Sequence, residues 1–318
     1  MGHPVAGEDY PRTLEELQDW FADEAACQEY LDAIRWGEDG EAFECPRCGH
    51  DERWTREDRT SICQECQKQI SLKSGTVLQG SNLSLRTWFQ GAWVAGAQKH
   101  GVSAKGLQRV LGLGSYKAAW ALLRKLRIAM VRPGRDRLHG HVEVDEVWLG
   151  SKVTPGSQHP GITRGKGLIA VAVETMPYRA RFGRIRMRRL QGRSAADLIP
   201  FVKDSIKPGS VIHTDGHLGY NQLPQHFYFH QRYNQSQAPP SVSPTDILPA
   251  VHRVASLLKR WKMGTHHGSM SRKHLDAYLD EFTFRFNRRS SNHRGLLFHR
   301  LLQYAVALSP QTYAELTA

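Results

Sequence analysis

Cys45-Pro-Arg-Cys48 and Cys63-Gln-Glu-Cys66 limit what this chain can fold into more than any other feature of it. Fourteen residues separate the two CxxC pairs, a spacing at which two short knuckles bring four thiolates to one tetrahedral Zn²⁺. Gly49 permits the tight turn after the first pair, and Arg53-Trp54-Thr55 and Gln69-Ile70-Ser71-Leu72 read as the strands of a small ribbon. Redox dithiols are the competing reading of a CxxC, but those sit singly in a βαβ setting, and here there are two pairs. The fifth cysteine, Cys27, falls on a helical pattern with Leu14, Leu17, Phe21, Tyr30, Leu31 and Ile34, which predicts a buried free thiol.

A chain of 318 residues corresponds to about two domains of roughly 150 residues each. Its 40% apolar content supports real cores and excludes wholesale disorder. Mean hydropathy is −0.51, and no apolar run approaches the roughly 18 residues of a membrane span. The N-terminus is acidic where a secretory segment is basic and then apolar, so a cytoplasmic, nucleoid-associated protein with no membrane partner is expected. Charge is divided unevenly. Residues 1–44 hold Arg12 and Arg35 against thirteen acids, a net of −11, so with +12 overall the remainder carries +23. A basic body of that size predicts a polyanion partner, because each Lys or Arg at a phosphate releases counterions. A merely solvated basic surface is the blander alternative.

Four blocks follow along the chain: an acidic helical segment over 1–40, the zinc ribbon over 41–80, a helical region over 81–135 and an α/β domain over 138–318. The first contains an amphipathic helix expected over 13–36. In the third, Ser103 caps a short helix through Val110, Leu111-Gly112-Leu113-Gly114 supplies a turn, and Tyr116 to Arg127 makes a second helix. That pattern reads as a helix-turn-helix, with Lys117, Arg124, Lys125 and Arg127 as candidate DNA contacts.

Beyond residue 138 the period becomes strand-like. Val142 to Trp148 alternates apolar and polar; a Gly-rich loop follows from Gly150 to Gly167, carrying Lys152, Arg164 and Lys166. Leu168 to Glu174 and Gly183 to Leu190 read as two further strands, Ser194 caps a helix over 195–206, and Val211 to Asp215 forms a fourth strand. Strand, strand, strand, helix, strand is the order of an RNase H-like core. In such a sheet the first and fourth strands are neighbours, so Asp145 and Asp215 lie side by side. Adjacent carboxylates repel unless a cation sits between them, and hard oxygen ligands suit Mg²⁺ or Mn²⁺.

A Pro- and Ser-rich loop is expected over 231–245, followed by a basic helix that starts at Pro249 and runs to about Lys262. His252 and Lys259, seven residues apart, fall on one face of it. Two final helices, over 273–288 and 294–307, are expected to pack on the core.

Taken together, these motifs resemble the DDE-type transposases of the insertion-sequence 1595 family over nearly the whole length. The resemblance rests on Arg35-Trp36 before the first CxxC and Ser71-Leu72-Lys73-Ser74-Gly75-Thr76 after the second. It rests also on Val144-Asp145-Glu146, His213-Thr214-Asp215-Gly216, Ser256-Leu257-Leu258-Lys259-Arg260, Gly264-Thr265-His266, and the Tyr278 to Phe282 and Arg285 to Arg289 runs. It implies an RNase H-like catalytic core, binding of the element's terminal inverted repeats, and metal-dependent cleavage and strand transfer on double-stranded DNA by a homo-oligomer. The family's third catalytic position, typically Glu or Asn, lies seven residues before the Lys of the Leu-Lys-Arg motif and is His252 here. Glu281 is the alternative third ligand, and an impaired copy is a third reading. The resemblance makes Lys259, with Arg260, a phosphate contact near the scissile bond, in a two-metal phosphoryl transfer led by Asp145 and Asp215. A catalytically inactive zinc-ribbon regulator and a nuclease that cuts without joining are the rival functions.

Overall fold

The computed structural model of the chain describes residues 3–57, 59–132, 134–150, 167–176, 181–233, 247–268 and 270–318. Almost all of the Gly-rich loop expected over 150–167, with Lys152, Arg164 and Lys166, lies outside the described residues, as does most of the stretch expected over 231–245. Two compact units divide the chain, one made of Met1–Arg132 with Ser290–Ala318 and the other of Pro133–Arg289.

In the first unit, Thr13 and Asp23 open α1 (Leu14–Trp20) and α2 (Glu24–Trp36), each side chain accepting from a first-turn amide. The one acidic helix expected over 13–36 is thus two, because Asp23 caps a new helix instead of continuing the old. Cys27 is fully buried, as expected. An antiparallel ribbon follows, with strands β1 (Arg53–Thr55), β2 (Ser61–Cys63) and β3 (Gln69–Ile70) in that order. Arg53 joins ribbon to helix: both terminal nitrogens donate to Asp32 at 2.8 Å, and its guanidinium stacks 4.3 Å from the centre of the Trp36 ring. Arg35 also stacks on Trp36, at 4.3 Å, and donates to the carbonyls of Ser71, Leu72 and Ser74. Beyond the ribbon, Ser84, Ser103 and Ser115 cap α3 (Leu85–Ala97), α4 (Ala104–Val110) and α5 (Tyr116–Ala129).

The second unit is built on a five-stranded mixed sheet. Its strands are β4 (His141–Leu149), β5 (Gly167–Met176), β6 (Arg181–Leu190), β7 (Val211–Thr214) and β8 (Phe229–Arg232), in the spatial order β6-β5-β4-β7-β8. β5 runs antiparallel to β4 and β6, whereas β7 runs parallel to β4 and β8 parallel to β7. Strand alternation divides β4 between two cores. Val142 and Val144 pack with Leu198, Phe201 and Val202 of α6 (Ala195–Ser205), which a Ser194–Asp197 capping box starts. Val147 and Leu149 pack with Val251, Val254 and Leu258 of α7 (Pro249–His266) and Leu279 and Phe282 of α8 (Leu275–Asn287). Helices therefore cover both faces.

One of the two C-terminal helices expected on this core is elsewhere. α8 packs on β6 as expected, but α9 (Arg294–Ala307) and α10 (Tyr313–Thr317) belong to the first unit. There Phe298 of α9 closes an aromatic cluster with Phe21, Tyr30 and Phe89, with ring centroids 4.8 to 6.2 Å apart. Among the described residues no helix is long and apolar enough to cross a membrane.

Candidate functional site

Two sites emerge, one in each unit. In the first, the sulfurs of Cys45, Cys48, Cys63 and Cys66 lie within 4.8 Å of one another. The two knuckles are built alike. Gly49 N–H donates to the carbonyl of Cys45 and Gln67 N–H to that of Cys63, and Cys45 and Cys63 donate in turn to the carbonyls of His50 and Lys68. Gly49 and Gln67 take matching left-handed backbone, at φ 76° and 58°. Cys45 Sγ lies 3.6 Å from Cys66 Sγ and Cys48 Sγ 3.5 Å from Cys63 Sγ, near the edge of about 3.8 Å for a tetrahedron with Zn–S bonds of about 2.3 Å. Burial works against ionisation of Cys45, but the amides of Arg47 and Cys48 and the Cys48 and Cys66 thiols lower its pKa, while the same sharing of protons among the sulfurs raises that of Cys48. A sulfur poised as thiolate suits zinc.

In the second unit the parallel register pairs Glu143 with His213, so Asp145, two residues further along β4, neighbours Asp215, which directly follows the end of β7, closely enough for each to feel the other's charge. Burial first, then the charges of Asp215 and Glu146, pushes the Asp145 carboxyl up to about 7, against the Glu146 amide that donates to its Oδ1 at 2.7 Å. Asp215 Oδ1 accepts from the His217 amide at 3.0 Å. The repulsion that raises Asp145 is what a cation relieves, and two adjacent carboxylates with no soft donor fit a hard divalent ion that completes its shell with water and phosphate.

His252 and Glu281 are placed differently. Glu143, two residues before Asp145 on the same face, accepts from the amides of Ala250 and Val251 at 2.8 and 3.0 Å. This fixes the first turn of α7, and with it the partly buried His252, against the face that carries the acids. Its ring is not gathered with their carboxylates: among the described residues the four cysteines are the one group of three or more such ligands that converges. Glu281 is fully buried and accepts from Arg285 Nε and Nη2 at 3.0 and 2.9 Å, so it is committed inside α8.

The basic residues also separate. Lys259 and Arg260 are exposed on α7, and Lys117 is exposed on α5 with its ammonium 4.3 Å from the Tyr313 ring centre. Arg124 is partly buried. Lys125 and Arg127 are corrected as DNA contacts, since both are buried. Lys125 donates to the Gln79 carbonyl at 2.5 Å, and burial lowers its pKa.

Sequence reasoning passed over Glu146, Arg193 and Tyr220. The Tyr220 hydroxyl donates to Glu146 Oε1, Arg193 Nε donates to Glu146 Oε2 at 2.5 Å, and Arg193 Nη2 stands 3.8 Å from Asp215 Oδ2. The available signal was adjacency, Glu146 following Asp145 and Tyr220 lying five residues after Asp215.

The ISXO2-like transposase domain of the IS1595 family matches residues 137–287, and the IS1595 transposase zinc-ribbon domain matches residues 22–69. The chain carries an IS1595-type transposase domain and an IS1595-type zinc ribbon. The transposase match nearly coincides with the unit Pro133–Arg289 and contains the acid pair. The IS1595 ribbon match contains all four converging cysteines, and it begins ahead of α2, whose Asp32 and Trp36 hold Arg53 of the ribbon. The chain is also 24% identical, over 277 residues, to an uncharacterized protein in the transposable element ISH50 of Halobacterium salinarum, covering 83% of this chain and 91% of that protein. No solved structure matches the chain.

Proposed function

We propose that the chain is a transposase that binds the terminal inverted repeats of its element and catalyses metal-dependent DNA cleavage and strand transfer on an RNase H-like core. The observation that supports this reading is the proximity of Asp145, on β4, to Asp215, just past the end of the parallel strand β7, within the transposase-domain match. Asp145 and Asp215 would hold Mg²⁺ or Mn²⁺, and His252, whose helix α7 is fixed on that face by Glu143, would be the third ligand. Divalent cations bound there would acidify water and neutralise charge on the leaving oxygen, as in two-metal phosphoryl transfer. The protein makes no covalent intermediate: water cleaves at the element's end, and the freed 3′ hydroxyl attacks a target phosphodiester in line. Lys259 and Arg260 grip backbone phosphates beside the acids. The four cysteines hold a structural Zn²⁺, and the ribbon with α4 and α5 reads the end sequence. Double-stranded DNA is the partner, engaged by more than one copy of the chain. Metal-dependent nicking and joining of a duplex carrying the element's terminal repeat is the test. Binding without nicking would make the chain an inactive regulator, and nicking without joining a nuclease.

Affinity for that duplex is expected to fall about 1,000-fold or more between 50 and 200 mM salt, as for six or more phosphate contacts. Lys259→Gln and Lys117→Gln should each reduce the slope of log affinity against log salt by about one. Lys125→Met should leave the slope unchanged, because its ammonium is buried. A slope lowered equally by all three would refute the placement of these residues.

His252→Ala is expected to weaken Mn²⁺ binding about tenfold or more and to lower Mn²⁺-supported cleavage in step. Glu281→Gln should lower the unfolding temperature, since it weakens a buried ion pair, yet leave Mn²⁺ affinity alone. The opposite pattern in a Mn²⁺ titration would move the third ligand to Glu281.

A further inference from the structure

Glu146 is a carboxylate beside the acid pair for which the proposed chemistry has no use. It follows Asp145 on β4, so its side chain leaves the other face of the strand, and that side chain is only 1% exposed. Both oxygens are engaged, Oε1 by the fully buried Tyr220 and Oε2 by Arg193 Nε. A carboxylate so enclosed is an anchor for a cation, and the cation it anchors is Arg193.

The side chain of Arg193 is 41% exposed. Being held through Nε leaves the two terminal nitrogens, a fork that matches two oxygens of a phosphate. Nη2 points toward Asp215, but at 3.8 Å it stops short of a hydrogen bond. A metal ion shared with Asp215 would weaken the pull of that carboxylate on the fork and leave its terminal nitrogens available to a phosphate.

We infer that Arg193 is a further catalytic residue, whose terminal nitrogens bind the non-bridging oxygens of the scissile phosphate, with Glu146 and Tyr220 as its positioning residues. The inference rests on the transposase reading. In the cleavage step the water oxygen bonds to phosphorus, the bond from phosphorus to the 3′ oxygen breaks, and the water proton leaves to solvent as the 3′ oxygen takes one up. Negative charge grows on the non-bridging oxygens while this happens. Arg193 stays protonated throughout and donates to them, with no reorganisation because Glu146 already holds it.

A double-mutant cycle tests the contact without relying on turnover. Zinc-loaded protein is titrated in Ca²⁺ with an end duplex that carries either the natural phosphodiester or an uncharged methylphosphonate at the cleaved position. Arg193→Gln should weaken binding of the natural duplex about tenfold and leave the methylphosphonate duplex within about twofold of the wild type. With Mn²⁺ it should cut the natural duplex about 100-fold more slowly. Arg193→Lys, which keeps the charge but not the fork, should recover only part of either loss. Retained zinc content and Mn²⁺ affinity show that the variants are folded. Equal weakening on both linkages, or none on the natural one, overturns the assignment. A wild type that cuts nothing overturns the transposase reading instead, while the binding cycle still decides where Arg193 makes contact.

Discussion

Asp215→Asn is expected to lower cleavage and joining of end-containing DNA by at least about 1,000-fold while changing DNA affinity little. Asn matches Asp in volume and keeps an oxygen for the His217 amide, but it removes the negative charge that Asp145 and Asp215 together present to a divalent ion. Asp145→Asn should be equally damaging, and it carries a second signature. The folded protein holds the Asp145 carboxyl at about 7, against about 3.9 when unfolded. The folded state therefore binds the extra proton between those values, and stability falls as pH rises through them. Removing the ionisable group removes that loss. Without divalent metal at pH 8, Asp145→Asn should melt at a higher temperature than the wild type, and at pH 4 the two should converge. Retained strand transfer in either variant would exclude that residue from the site; a lower melting temperature for Asp145→Asn at pH 8 would show that burial does not raise its carboxyl.

Cys48→Ser is expected to reduce zinc from one ion per chain to near zero and to unfold the ribbon. The effect is large because metal binding in such a small element is folding energy, of the order of 10 kcal/mol in isolated zinc modules. Strands of three, three and two residues offer little else to hold them. Loss should extend beyond the knuckles, since Arg53 bridges the ribbon to Asp32 and Trp36 on α2. Cys27→Ser, a change at a buried thiol outside the cluster, should keep the zinc. Metal analysis with limited proteolysis decides the matter, and one zinc per chain in Cys48→Ser would refute the four-sulfur centre.

The features legible from sequence were those whose chemistry is local or periodic. Four cysteines at fixed spacing can do little but converge, and the alternation through Val144-Asp145-Glu146 is enough to place Asp145 on a strand. The register that brings Asp215 beside it followed from element order. What escaped was the destination of amphipathic helices and long side chains. The apolar stripe of α9 fits any core, and nothing within residues 294–307 says that Phe298 joins Phe21, Tyr30 and Phe89 instead of the sheet. Lys125 and Arg127 look like a solvated basic face in one dimension, because a pattern of charges does not show which stems are enclosed. Gln67 hid the likeness of the two knuckles, since its left-handed backbone is a place where Gly is expected. Glu146 was masked by its neighbour: adjacent strand residues face opposite ways, so a second carboxylate beside Asp145 reads as solvent-facing, although Tyr220 and Arg193 enclose it.

The placing of α9 also sets an order of events on the ribosome. Residues 133–289 are an insertion into the unit that carries the zinc centre, and that unit completes its aromatic cluster only when Phe298 has emerged. A nascent chain can therefore finish the unit bearing Asp145 and Asp215 while the unit begun before it still waits for its last helix. Early termination anywhere in the inserted stretch leaves the first unit without α9, so fragments that retain the ribbon but lack the acids are poorly folded.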